Sequence, residues 1–196
     1  MRVVLATANA GKLAEFRALV AELPIELVTQ GELGVEPAAE DAPTFVENAI
    51  AKARHAGRAA ALPALADDSG LVVPALGGEP GIRSARYAGG RDDRRNVVRL
   101  LERLGSATDR RAYFYCALAF LRAPDDPAPL IATAAWHGAI ALVPRGDRGF
   151  GYDPVFVYPP RGLTFGELPH AEKMRVSHRG LALAQARALL REGGLG

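Results

Sequence analysis

Hydrophobic positions in this chain fall into two patterns, short unbroken runs and stretches spaced by three and four. Residues 2–6 form an apolar run behind Arg2 and read as a short buried strand. A polar turn follows. Leu13, Phe16, Val20 and Leu23 then share one face of a helix expected over about residues 12–23. A second strand is expected at 25–29, and the stretch 31–43 is acidic and loop-like. Thr44-Phe-Val-Glu47 is a capping box opening an Ala-rich helix to about residue 61. Residues 65–74 read as a strand interrupted by Asp67-Asp68-Ser69-Gly70, and 75–90 as a long Gly/Pro-rich functional loop. A helix over 92–104 buries Val97, Leu100, Leu101 and Leu104. Strands at 111–122 and 130–142 are joined by a hairpin connection at 123–129. A glycine-rich turn at 146–154 leads into a strand at 155–158, and a last helix covers about 179–191. Helices and strands mix without strict alternation, which predicts an α/β protein with a mixed sheet rather than a doubly wound parallel one.

Composition narrows the class without naming a chemistry. The chain of 196 residues is 49% hydrophobic and 23% charged, an ordinary globular balance that argues against disorder. Its length predicts one domain over 1–196, with room for two lobes. A net charge of +2 does not demand a nucleic-acid partner, but it is compatible with basic pockets for an anionic ligand. The single cysteine, Cys116, lies in an apolar run and reads as a buried thiol. The N-terminal apolar run is too short for a signal peptide, and no stretch approaches the ~18 apolar residues of a membrane helix. A cytoplasmic enzyme without a membrane partner is therefore expected.

Of the 24 basic side chains, only Lys12, Lys52 and Lys173 are lysines. A chain that otherwise uses arginine hints that a compact ammonium was wanted at those three places. Lys12 closes the turn Thr7-Ala8-Asn9-Ala10-Gly11-Lys12, where a strand meets a helix N-terminus. Free backbone N–H groups and the positive dipole end make that geometry a phosphate site. It is not a Walker A loop, which needs Gly at Ala6 and Ser or Thr at Leu13, and no G-x-G-x-x-G is present. A capped helix after a strand explains the same residues without a ligand.

The adjacent Asp67 and Asp68 end an apolar run and would point to opposite faces of a continuous strand. Carboxylates there are costly unless paired or metal-bound, and Mg²⁺ held with substrate phosphates would explain them; an Asx turn at a strand end is the alternative. Glu40 and Asp41 can supply a further ligand or be solvated loop charges. Asn48 and Lys52 share a helical face with His55 nearby, where Lys52 can face an acidic, phosphate-bearing site and Asn48 equally reads as solvated. In Gly149-Phe-Gly-Tyr-Asp153-Pro, Phe150 can stack on a base and Asp153 accept from a ring N–H, or the loop can be ordinary with an anchored aromatic. Ser177 is an expected N-cap, followed by the donors His178 and Arg179. Arg179 in a first helical turn opposes the macrodipole at a cost of about 0.3–1 kcal/mol unless an acceptor is near.

Six segments together resemble the inosine/xanthosine triphosphate pyrophosphatase family, in the family's order and across almost the whole chain. They are T-A-N-A-G-K, T-F-V-E-N-A-I-A-K-A, A-D-D-S-G-L, G-I-R-S-A-R-Y-A-G, F-G-Y-D-P-V-F and S-H-R-G. The resemblance implies a long mixed β-sheet flanked by helices, two lobes with a central cleft, and a homodimer. It implies that Thr7, Ala8, Asn9, Ala10, Gly11 and Lys12 hold the triphosphate. Asp68 would be the catalytic and metal-binding carboxylate, Glu40 a further metal ligand, Lys52 a phosphate-side catalytic lysine, and Ser69 a substrate contact. Phe150, Gly151, Tyr152, Asp153, Lys173, His178 and Arg179 would form the base pocket. Where the family often has T-G-N this chain has T-A-N, and Ala8 does not tolerate the positive φ open to glycine. Residues 159–172 match loosely.

The implied reaction is Mg²⁺-dependent hydrolysis of ITP, dITP or XTP to the monophosphate and pyrophosphate, which cleanses the nucleotide pool and keeps deaminated purines out of DNA and RNA. Donors from Lys173, His178 and Arg179 would meet a 6-oxygen but oppose the 6-amino group of adenine. Two rival readings fit the residues less well. A phosphotransferase or GTPase with a degenerate P-loop lacks the required residues. A nucleic-acid face on the arginines of 91–103 is interrupted by Asp92, Asp93 and Glu102 and has no aromatic platform.

Overall fold

Val3, Val4 and Leu5 are all buried in β1 (Arg2–Leu5), as expected of a strand covered on both faces. It pairs in parallel with β2 (Glu26–Thr29) on one side and β3 (Ala64–Val72) on the other. The long strands β4 (Arg111–Leu121) and β5 (Leu130–Ile140) follow, then the short β6 (Phe156–Tyr158) and β7 (Leu163–Thr164), which pair antiparallel from β5 outward. The result is one seven-stranded mixed sheet in the order β2-β1-β3-β4-β5-β6-β7, with helices flanking it. The computed structural model describes residues 1–7, 10–169, 171–173 and 177–195.

The chain divides into two compact units. The first holds Met1–Asp68, Cys116–Ala134 and Leu181–Gly196; the second holds Ser69–Tyr115 and Ala135–Gly180. Each has its own apolar core. In the first, Val3, Leu5 and Leu65 of the sheet meet Phe16, Leu19 and Val20 of α1 (Ala10–Val20). Ala182, Leu183, Ala186 and Leu190 of α4 (His178–Leu190) complete it, with Cys116 buried among them. In the second, Phe114, Phe156, Phe165 and Tyr158 interlock, with ring centroids 4.6–6.3 Å apart, over Val97, Leu100 and Leu104 of α3 (Asp93–Leu104).

Local chemistry sets the element boundaries. In the capping box of α2 (Phe45–Ala60), Glu47 N–H donates to Thr44 Oγ at 3.2 Å, and the Thr44 hydroxyl donates back to the Glu47 carboxylate at 2.6 Å. Asp92 caps α3 through Arg95 N–H at 3.0 Å. Ser177 caps α4 through Gly180 N–H at 3.2 Å. Three expectations need correction. Helix α1 runs Ala10–Val20, starting two residues before the expected residue 12 and ending three before the expected residue 23. Strand β3 is not interrupted: it runs straight through Asp67-Asp68-Ser69-Gly70, because both carboxylates have cationic partners that make an unbroken buried strand tolerable. The strand expected at 155–158 is present as β6, but its partner β7 was not expected, since a two-residue strand carries no readable alternation. Among the described residues no helix is long and apolar enough to cross a membrane.

The capping box yields a direct test. Thr44→Ala removes an N-cap worth about 1 kcal/mol, and in a chain of this length the melting temperature should fall by about 2–4 °C. Thermal denaturation followed by circular dichroism measures it, and an unchanged midpoint would show that the cap adds nothing.

Candidate active site

Two clusters of polar side chains are built from the candidate residues, one in each unit. The first centres on Asp67 and Asp68 of β3. Being neighbours on a strand, they leave the backbone on opposite faces, and both are buried. Each meets a different lysine. Lys12, in the first turn of α1, places its ammonium 2.7 Å from Asp67 Oδ2. Lys52, two turns into α2, donates to Asp68 Oδ1 at 2.8 Å and to the Asp67 carbonyl oxygen at 3.2 Å, and lies 2.6 Å from Glu40 Oε1.

Asn48 is the residue the sequence reading undervalued. It is not a solvated position but is fully buried. Its amide group clasps the backbone of Ala42, accepting from N–H at 3.1 Å and donating to C=O at 3.3 Å. That clasp fixes the loop that brings Glu40 to Lys52. Asp41 stays exposed, and His55 leaves the cluster for the Glu36 carbonyl, 2.8 Å from its Nε2.

Three carboxylates face two ammonium groups here, so the cluster carries a net negative charge. Burial pushes the Asp68 carboxyl above its ordinary range, and the Lys52 ammonium only partly offsets this. Burial alone would pull Lys52 down, but the neighbouring carboxylates of Asp68 and Glu40 outweigh it and hold the ammonium above its usual value. Asp68 Oδ2 is buried without a hydrogen bond among the described residues. A buried carboxylate oxygen with spare acceptor capacity, raised basicity and a second carboxylate one lysine away suits either a water proton or a hard cation. Among the described residues no three His, Cys, Asp or Glu side chains are arranged to hold a metal by themselves. A cation at Asp68 and Glu40 would thus take further oxygens from a phosphate ligand, as Mg²⁺ commonly does.

The turn that should hold phosphate is described in part. Thr7 N–H donates to the Leu5 carbonyl at 3.0 Å, and Lys12 stands as above. Ala8, Asn9 and the Ala10 side chain lie outside the described residues.

The second cluster is organised by the loop 149–154. Asp153 is buried, accepts from Phe150 N–H at 2.8 Å and is ion-paired with Lys173. Burial raises its pKa, while Lys173 and the Phe150 amide pull the other way. The Phe150 ring is 46% exposed. Lys173 Nζ stands 4.9 Å from its centroid and the Arg179 guanidinium carbon 5.6 Å. Arg179 also donates to Ser69 Oγ at 3.2 Å, the acceptor that its first-turn position required. His178 stacks on Phe114, with ring centroids 4.7 Å apart and planes within 10°.

Tyr152 serves as an anchor: its ring is buried and its hydroxyl donates to the Ser84 carbonyl at 2.9 Å. Gly151 N–H donates to Asp93 Oδ2 at 2.7 Å, which ties the loop to the start of α3. Ser84 and Asp93 carry no sequence signal for this role, since each acts on a loop some sixty residues away through one hydrogen bond. Gly149 has φ +78°, and a Cβ there would collide with Asp153 Oδ2 and lie 3.1 Å from Lys173 Nζ.

The first cluster thus pairs buried carboxylates with lysines, and the second sets two cations beside a partly exposed aromatic ring. The Ham1 family model matches residues 3–189, and the chain belongs to that family. It is 56% identical to a dITP/XTP pyrophosphatase of Bordetella parapertussis over 197 residues, covering 98% of this chain and 92% of that protein. It is 55% identical to a dITP/XTP pyrophosphatase of Ralstonia nicotianae over 188 residues, 94% of each. A HAM1 protein structure from Coxiella burnetii superposes with a TM-score of 0.94 at 47% identity, covering 98% of this chain and 99% of that one. A structure of a nucleoside-triphosphatase / dITP/XTP pyrophosphatase from Mycobacterium abscessus gives 0.78 at 39% identity, covering 95% and 98%.

The position of Gly149 makes a prediction. Gly149→Ala places a side chain in a left-handed conformation and against Asp153, at a cost of about 1–3 kcal/mol. The midpoint of urea denaturation should fall accordingly, and a wild-type midpoint would show that the loop absorbs the methyl group.

Proposed function

We propose that this chain hydrolyses deaminated purine nucleoside triphosphates, dITP, ITP and XTP, to the nucleoside monophosphate and pyrophosphate with Mg²⁺. It is an enzyme of the nucleoside triphosphate pyrophosphatase class, like its relatives at 56% and 55% identity. The observation that carries the chemistry is Asp68: a buried carboxylate with raised basicity, one oxygen fixed by Lys52 and the other without a hydrogen bond among the described residues.

In this reading Asp68 Oδ2 accepts the proton of the attacking water as it adds to the α-phosphorus. Lys52 holds Asp68 and Glu40 in orientation. Lys12 and the turn of residues 7–12 neutralise the departing pyrophosphate. Asp68 and Glu40 would hold Mg²⁺ together with the substrate, and the ion would supply Lewis acidity toward phosphate and water.

The second cluster takes the base. Phe150 offers its exposed face for stacking, and Lys173, His178 and Arg179 present donors to a 6-oxygen. Adenine would bring a donor to those donors, leaving buried polar groups unpaired, the arrangement that gives large discrimination. Removal of such nucleotides protects DNA and RNA from their incorporation, and the enzyme works as a homodimer.

The test is a panel of ITP, dITP, XTP, ATP and GTP with Mg²⁺ or with EDTA, scored for monophosphate, pyrophosphate and orthophosphate. Pyrophosphate from the deaminated purines, lost in EDTA, is the expected outcome; orthophosphate instead would falsify the reading. Asp68→Asn should lower kcat by about 10²–10⁴-fold while nucleotide binding persists, and wild-type turnover would remove Asp68 from the mechanism. Lys173→Ala should reduce the ITP-over-ATP preference in kcat/KM by about tenfold or more. An unchanged ratio would exclude Lys173 from base selection.

A further inference from the structure

Asp67 is the one charged group of the first cluster to which the mechanism above gives no task. Its side chain is 1% exposed, more deeply buried than any other carboxylate there, and its Oδ2 lies 2.7 Å from Lys12 Nζ. It leaves β3 on the face opposite Asp68, so the two adjacent carboxylates divide the two lysines between them. A carboxylate buried to this degree is tolerated only with a good partner. The partner is the lysine at the first turn of α1, whose long stem has many rotamers.

We propose that Asp67 is a positioning residue: it fixes the Lys12 ammonium at the triphosphate turn and acts on the substrate only through that lysine. The proposal rests on the pyrophosphatase reading given above. An ammonium carries three donors, so a bond to Asp67 is compatible with simultaneous bonds to phosphate oxygens. Fixing the side chain before substrate arrives removes the rotamer entropy that binding would otherwise cost. Asp67 also sets a sign. Should Lys12 lose its charge, the buried Asp67 carboxylate would face the phosphates without that ammonium between them and repel them. Lys12 and Asp67 are therefore a unit, and their substitutions should not add.

The experiment compares wild type, Asp67→Asn, Lys12→Met and the double variant, after wild type has been verified to release pyrophosphate from ITP. Asp67→Asn should raise KM for ITP by about tenfold or more, and because Lys12 also steadies the leaving pyrophosphate kcat should fall as well, by less than KM rises and far less than in Asp68→Asn. That split is opposite to the one expected of Asp68→Asn. Calorimetric titration should show weakened binding of the α,β-methylene analogue of ITP in Asp67→Asn, with IMP affinity unchanged. Half-saturation by Mg²⁺ should stay at the wild-type concentration. The double variant should bind the analogue no worse than Lys12→Met alone.

Several outcomes overturn the proposal. A KM at the wild-type value, equal losses for the analogue and IMP, or a kcat collapse like that of Asp68→Asn would each do so. A shifted Mg²⁺ requirement would make Asp67 a metal ligand instead. Should Asp67→Asn fail to fold, Lys12→Met carries the decision: it must lose affinity for the analogue and keep it for IMP, and unchanged affinity for both refutes the positioning role. A wild type that releases no pyrophosphate fails the functional reading itself, which separates the two failures.

Discussion

Two adjacent carboxylates in the middle of a buried strand are the constraint around which the first unit is arranged. Asp67 and Asp68 sit in β3 between apolar residues, where an unpaired charge costs several kcal/mol. Each must find a cation on its own side of the sheet. Lys12 comes from the start of α1 and Lys52 from the second turn of α2, so the placement of both helices is tied to the strand they flank. Glu40 joins through Lys52, and its loop is held by the buried amide of Asn48. Apolar replacements often equal or exceed a buried ion pair in stability, so stability alone is a poor reason for such a cluster. Its surplus carboxylate, and an Asp68 oxygen without a hydrogen bond among the described residues, make sense as chemistry.

The second unit meets the same constraint more simply. Asp153 is one buried carboxylate with one lysine, and the surrounding loop does the positioning. Tyr152 reaches Ser84, Gly151 reaches Asp93, and Phe150 N–H returns to Asp153, so three consecutive bonds leave little freedom between Gly149 and Pro154. The ring of Phe150 remains partly exposed because the residues on either side of it are pinned. The pinned loop thus leaves one aromatic face partly accessible, with two cations beside it.

Much of this was legible in the sequence where a local rule governs it. The capping box at Thr44, the N-cap Ser177, and the apolar faces of α1 and α3 follow from neighbours three or four residues apart, and each appears as expected. The three lysines also proved informative, each meeting a buried carboxylate. Partners brought from afar were not legible. The pairing of Asp67 with Lys12 spans 55 residues, and nothing near Asp67 marks it. The buried asparagines are an instructive middle case. Asn48 and Asn96 each stand four residues after an N-cap, and each clasps the loop that precedes its helix. The spacing was visible, but its meaning needed the loop to fold back.

Lysine and arginine divide the work in a way their shapes explain. Lys52 has three N–H donors and meets three oxygens, of Glu40, Asp68 and the Asp67 carbonyl, within 3.2 Å. A planar guanidinium presents its donors in a fixed fork and suits one carboxylate at a time, so it would serve that three-sided site poorly. Many arginines instead form exposed pairs of low energetic consequence, such as Arg58 with Asp125 and Arg191 with Glu22. Arg179 is the buried counterexample, and it stands where a flat cation is useful, over the ring of Phe150 and against Ser69. Two of the three lysines thus gather at the oxygen-rich cluster, while in the aromatic cluster the compact ammonium of Lys173 pairs with Asp153 and the planar guanidinium of Arg179 lies beside the Phe150 ring.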